Sequence, residues 1–167
     1  IGECALFEGM IYGLVAPGYA MAETAMSHIL GSVKSFSGSD MSTKLKLMGV
    51  DVASVGNPFL EGENIKTLQV KNTAEGIYKQ LTVDSESNLL KGAILVGDAD
   101  DYGQLLQLYQ NEMVLPEQLD ALVFKGGGES AVGGIDTLPD TAQICSCENV
   151  SKGDIVEAIE GGCSDVA

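Results

Sequence analysis

Hydrophobic and polar positions alternate most cleanly between Ile77 and Val96. Ile77, Lys79, Leu81 and Val83 take one side of a period-two pattern, and Tyr78, Gln80 and Thr82 take the other. The stretch Asp84-Ser85-Glu86-Ser87-Asn88 is polar throughout, and Leu89 to Val96 resumes the apolar run. This predicts an antiparallel hairpin. Two more strands are expected: Val50 to Val55, stopped by Gly56-Asn57-Pro58, and Ile65 to Val70.

Helical spacing governs the rest. Ala22, Ala25, Met26 and Ile29 predict a helix from Tyr19 to Leu30, entered through Pro17 and stopped at Gly31, with that apolar face packed on a core. Asp40 to Met48 is expected to form a short helix, capped by Asp40 or Ser42 and ended by Gly49, with Leu45 and Met48 facing inward. Gly97-Asp98-Ala99-Asp100-Asp101 closes a strand and opens a helix from Tyr102 to Met113, with Leu105, Leu108 and Tyr109 on one side. Ser151 and Asp154 stand at capping-box spacing, so a last helix should run from Ser151 to Glu160. Ile155, Ala158 and Ile159 give it an apolar face to bury.

The expected fold class is α+β, a small antiparallel or mixed sheet with covering helices. Residues 1–38 read as one unit, 39–124 as the α+β domain, 125–137 as a Gly-rich linker, and 138–167 as the start of a third unit. Ile1-Gly2-Glu3-Cys4-Ala5 reads as the end of a buried strand followed by a turn. Together with the unpartnered apolar face of the last helix, this suggests an excised piece of a longer polypeptide.

Composition narrows the function classes. The 167 residues are 45% hydrophobic, with a mean hydropathy of +0.15; that is globular composition. Net charge is −15, and all nine basic residues are lysine. Nucleic acid is excluded as a partner by charge repulsion, and guanidinium clamps on phosphate are missing. No apolar run is long enough to span a bilayer, so no membrane partner is expected. Four unevenly spaced cysteines do not form a disulfide framework and suggest a reducing, cytoplasmic location.

Candidate chemistry is confined to a few places. Cys145 and Cys147 lie one residue apart just before a helix start. Such a pair could be two ordinary thiols, half of a zinc site or half of an iron–sulfur site. A helix N-terminus pointed at them would favour thiolate. Glu3, after Gly2, could meet a ribityl or ribose hydroxyl, or be an ordinary loop residue. The Gly13-to-Gly18 entry into a helix could offer N–H groups to a flavin pyrimidine edge, or be a plain Pro-initiated helix. The sole histidine, His28, reads as a surface residue compatible with a helix C-terminus. Asp98, Asp100 and Asp101 lack the Gly and distal Glu of a calcium loop and read as N-capping and solvation. Cys4 and Cys163 read as structural.

Three motifs in order resemble one family. Ile1-Gly2-Glu3-Cys4-Ala5 with Tyr12-Gly13-Leu14-Val15-Ala16-Pro17 resembles the end of the FAD domain in assimilatory NAD(P)H-dependent nitrite reductase large subunits. Ser42 to Ser54 resembles the start of their reductase C-terminal domain, and Gln143 to Gly153 the opening of their [2Fe–2S] domain, similar to bacterioferritin-associated ferredoxin. The resemblance implies FAD contacts at Gly2, Glu3, Pro17 and Gly18, and the first two cluster ligands at Cys145 and Cys147. It implies that the later C-x-x-C ligand pair, the dinucleotide loops, the sirohaem and the [4Fe–4S] ligands fall outside these residues. Cys163 matches a family cysteine ahead of that later pair and is not assigned as a ligand.

The expectation is thus a fragment of an enzyme that uses NAD(P)H, FAD, iron–sulfur centres and sirohaem to reduce nitrite to ammonium, the fragment alone being inactive. Implied partners are the rest of the polypeptide, a small reductase subunit and a second copy of the chain. Two alternatives stand beside it: a related FAD-dependent NAD(P)H:rubredoxin or ferredoxin-type reductase, and a non-enzymatic acidic metal-binding module.

Overall fold

The computed structural model describes residues 1–123, 138–145 and 150–163. The chain divides into two compact units, Ile1–Met41 and Ser42–Ala167.

In the first unit, strands β1 (Leu6–Phe7) and β2 (Met10–Ile11) pair antiparallel across Glu8-Gly9, and helix α1 follows over Val15–Ile29. α1 starts four residues before the sequence pattern predicts, so Pro17 sits within its first turn, where no intrahelical N–H is needed. The predicted packing face is corrected. Pro17 and Met21 are the buried residues of α1, whereas Ala22 and Met26 are exposed and Ile29 is 78% exposed. The unit's aromatic side chains explain the choice. Phe7 and Tyr12 each meet Phe36 edge to face, at 5.0 and 5.4 Å between ring centres. Phe7 and Phe36 also line, with Met21 and Ala25, one apolar cavity of about 240 Å³. A second correction concerns the start of the chain. Ile1 is exposed, and residues 2–5 form a turn closed by Ala5 N–H donating to Gly2 O at 3.0 Å.

The second unit is built on a five-stranded antiparallel sheet. Its strands are β3 (Thr43–Leu47), β4 (Val50–Gly56), β5 (Ile65–Asn72), β6 (Ile77–Asp84) and β7 (Leu89–Val96), in the order β3-β4-β7-β6-β5. The β6–β7 hairpin is the one the alternation predicts, with a register shift between Thr82 and Val83. The helix expected over 40–48 is instead β3 and its turn. Thr43-Lys44-Leu45-Lys46-Leu47 alternates with period two, and Met48 and Gly49 both have positive φ, +50° and +86°. That is the geometry of a two-residue hairpin turn, and it reverses the chain into β4. Met48 is accordingly 96% exposed rather than inward, and Leu45 is exposed.

Helix α2 (Tyr102–Gln110) is the one long helix packed on the sheet among the described residues, lying against β7 and β4. Leu105 and Leu108 join Ala53, Val55, Leu81, Val83, Leu90, Ala93 and Leu95 in the core. The opposite face of β6 is covered too. The Pro58 carbonyl accepts from Gln80 Nε2 at 2.8 Å and Thr82 Oγ1 at 2.7 Å. Residues 79–83 are therefore buried on both sides.

Toward the end of the described chain, β8 (Gln143–Cys145) pairs antiparallel with β9 (Val150–Ser151), and α3 (Lys152–Glu160) follows directly. The α3 apolar face has no cover among the described residues. Ile155 and Val156 are exposed and Ile159 is 62% exposed. The predicted Gly-rich linker at 125–137 lies outside the described residues.

Candidate functional site

The two stretches singled out near the start of the chain come together. Gly2 adopts φ +76°, which opens the turn carrying Glu3. Glu3 Oε1 lies 3.5 Å from the point where a Cβ would stand on Gly13, so the carboxylate rests against the lead-in to α1. The helix begins one residue after its N-cap, Leu14. That residue supplies no side-chain acceptor, and no acidic residue occupies the first turn. The positive end of the α1 dipole is therefore not offset by a capping group of its own. Pro17 is buried, and Gly18 is partly exposed beside it. The exposed carboxylate can accept from a hydroxyl, and the uncapped helix N-terminus beside it can offer N–H groups to a carbonyl-like edge.

One residue of this arrangement has no signal in the spacing. Gly2 N–H donates to Met21 Sδ at 3.2 Å, and Met21 is 5% exposed. Only its position one helical turn after Pro17 hints that it faces inward.

The thiol pair is described in part. Cys145 ends β8, opposite Val150 of β9, and Cys147 lies outside the described residues. The capping box of α3 is formed as expected. Ser151 N–H donates to Asp154 Oδ2 at 2.8 Å, and Asp154 N–H donates to Ser151 Oγ at 3.1 Å. The Ser151 hydroxyl, and then its amide, hold the Asp154 carboxyl below the usual carboxylate range. Lys152 and Gly153 N–H donate to Ala142 O and Asp140 O, both at 2.8 Å. The first N–H groups of α3 are thus taken by its own chain, with a carboxylate among them.

The aspartates at 98–101 are a correction. Asp101 is the N-cap of α2 but makes no side-chain capping bond. Lys79 Nζ pairs with Asp98 Oδ2 at 3.1 Å and also with Asp101 Oδ2, so Asp98 and Asp101 belong to an inward ion-pair cluster. Asp98 Oδ1 accepts from Asp100 N–H at 3.1 Å. The sequence hint for Lys79 was its place on the apolar side of the β6 alternation. His28 occupies the last turn of α1, as expected. Cys4 and Cys163 are exposed, which corrects their reading as structural. Among the described residues, no group of three or more His, Cys, Asp or Glu is arranged to hold a metal ion, and no helix is long and apolar enough to cross a membrane.

Comparison with known proteins agrees with the motif order. Residues 42–113 match the family described as Rubredoxin NAD+ reductase C-terminal domain. The whole chain is 48% identical to the nitrite reductase (NADH) large subunit of Escherichia coli strain K12, covering 20% of that protein. It is likewise 48% identical over its full length to the nitrite reductase [NAD(P)H] large subunit of Klebsiella oxytoca, covering 18% of it. It is 34% identical, over 95% of its length, to the assimilatory nitrate reductase electron transfer subunit of Bacillus subtilis strain 168, again covering 20%. The chain therefore spans about a fifth of the length of the relatives it matches. It is homologous from end to end to part of the NAD(P)H nitrite reductase large subunit.

Proposed function

We propose that this chain is an internal, electron-carrying segment of an NAD(P)H-dependent nitrite reductase large subunit, whose reaction is the reduction of nitrite to ammonium. The carrying observation is the 48% identity over the full chain to two such subunits. In this reading, residues 1–38 close the FAD-binding domain, 39–124 form the reductase C-terminal domain, 125–137 link, and 138–167 open a [2Fe–2S] domain.

The residues fit both cofactors to different degrees. Gly2, Glu3, Pro17 and Gly18 would hold FAD, because an uncapped α1 N-terminus and the Glu3 carboxylate lie together. Glu3 would accept from a ribityl hydroxyl, and the first turn of α1 would direct N–H groups toward the pyrimidine edge. FAD, when bound, would supply the chemistry of taking one hydride, two electrons, and passing those electrons on singly. Cys145 and Cys147 would supply two of four thiolates to a [2Fe–2S] group, which carries single electrons. The chain's contribution is placement and electrostatics.

The open apolar surface of the first unit supports this segment as part of something larger. Leu6, Ile11, Val15, Met26, Ile29 and Val33 are all well exposed. In the parent polypeptide, the remainder of the FAD domain would cover them. A small reductase subunit and a second large subunit are the further partners this reading carries.

The test belongs on the parent polypeptide. It should purify with flavin and oxidise NADH or NADPH in step with nitrite loss. Cys145→Ser and Cys147→Ser should each abolish the [2Fe–2S] contribution to the visible absorption while leaving flavin bound. A parent that binds no flavin and leaves nitrite untouched would sink the proposal. A second reading, a flavoprotein subunit delivering electrons to another protein, draws on the 34% identity to the electron transfer subunit. Sirohaem absorption in the parent decides between them.

A further inference from the structure

Met21 holds a place that packing alone does not account for. Its thioether is buried on α1, one turn after Pro17. It receives the main-chain N–H of Gly2 at 3.2 Å. Sulfur is a weak acceptor, and leucine would fill the same volume without one. The contact therefore matters to Gly2 more than to the packing. With Met21 in place, both main-chain polar groups of Gly2 are used: N–H on the sulfur, and C=O on Ala5 N–H at 3.0 Å. Gly2 is at φ +76°, and Glu3 is the next residue of the turn.

We infer that Met21 is a positioning residue for the flavin contact. Through Sδ it ties the Gly2–Ala5 turn to α1 and so sets the Glu3 carboxylate beside Gly13 and the helix N-terminus. One helix then carries both the N–H groups and the anchor for the carboxylate. The first lie at its open end, and the second lies six residues along, about 9 Å by helical rise. A turn anchored to that helix cannot drift relative to it. This inference rests on Glu3 and the α1 N-terminus being the FAD contact.

The experiment uses the full-length parent polypeptide, stripped of flavin and titrated with FAD. The dissociation constant, the visible circular dichroism of the bound flavin and the melting of the flavin-free protein are all recorded. Met21→Leu should leave the melt near that of the parent protein and weaken FAD binding about three- to tenfold, the scale of one lost hydrogen bond. Its flavin dichroism should change. Met21→Gln, which restores an acceptor, should recover binding to within about twofold of the parent protein. Glu3→Gln should weaken binding, and adding Met21→Leu to it should cost little more, because Met21 acts through Glu3.

Three results overturn the inference while sparing the site: Met21→Leu binding FAD like the parent while Glu3→Gln weakens it, fully additive losses in the double variant, or no recovery with a well-folded Met21→Gln. Unchanged binding in Glu3→Gln would instead remove the site reading, and this inference with it. If Met21→Leu does not fold, the Met21→Gln titration and its combination with Glu3→Gln carry the test.

Discussion

Lys79 Nζ lies 3.1 Å from Asp98 Oδ2, with 2% and 8% of the two side chains exposed. Asp101 takes the same ammonium from the start of α2, and Lys44 Nζ reaches Ala99 O at 2.9 Å. Two lysines, from β6 and β3, thus hold the loop that leads into α2.

Breaking the buried pair from one side should be costly. Lys79→Met leaves Asp98 charged and enclosed, and a loss of about 3–5 kcal/mol is expected. Lys79→Met combined with Asp98→Asn should lose clearly less than the two single losses added together, because the carboxylate that still loses its lysine, Asp101, is 26% exposed rather than enclosed. Urea denaturation of the four proteins of this cycle checks it. Additive losses would show that the pair contributes nothing as a pair.

The β3–β4 turn offers a change in each direction. Gly49 at φ +86° should tolerate valine poorly, at about 1–2 kcal/mol. Met48 is already left-handed and makes no use of its side chain, so Met48→Asn should stabilise by on the order of 0.5 kcal/mol. Denaturation midpoints at constant slope measure both.

Gly92 lies under the segment that crosses the sheet. A Cβ there would fall 2.3 Å from Asn57 C and 2.4 Å from Pro58 N. Both are backbone atoms, so no side chain can swing aside. Gly92→Ala should cost about 3 kcal/mol and displace the Pro58 carbonyl from Gln80 and Thr82. Faster amide exchange along residues 78–83 would accompany the loss; unchanged exchange with parent-like stability would contradict it.

The capping box makes α3 sensitive to acid. Asp154 has its pKa lowered in the folded chain by Ser151, so the unfolded chain binds the proton more readily. The contribution is complete above the ordinary aspartate value of about 3.9, and it is lost as pH falls through the lower folded value. Following the Asp154 carboxyl by NMR should show a midpoint below about 3.9 that rises toward it in Ser151→Ala, which removes the hydroxyl and keeps the amide donor. The same substitution should cost about 1 kcal/mol of helix stability at neutral pH.

Much of the second unit was legible because its signals are local. The β6–β7 alternation, the polar 84–88 connection and the Ser151–Asp154 spacing each depend on neighbours within a few residues. The 40–48 segment was misread because Leu45 and Met48 also satisfy helical spacing. What decided for a strand was the left-handed pair at Met48-Gly49 and the partner strand opposite Lys44 and Leu45.

The chain itself determines which residues of β6 and β7 alternate, that Ser151 and Asp154 cap α3, and which family the motif order resembles. Tertiary structure alone decides that Pro58 closes the second face of β6, that Lys79 is enclosed with Asp98, and that Met21 holds Gly2. Each of these joins residues 19 or more positions apart. Periodicity reports the face a residue points to; it carries no information on what meets that face, because the partner comes from a distant part of the chain.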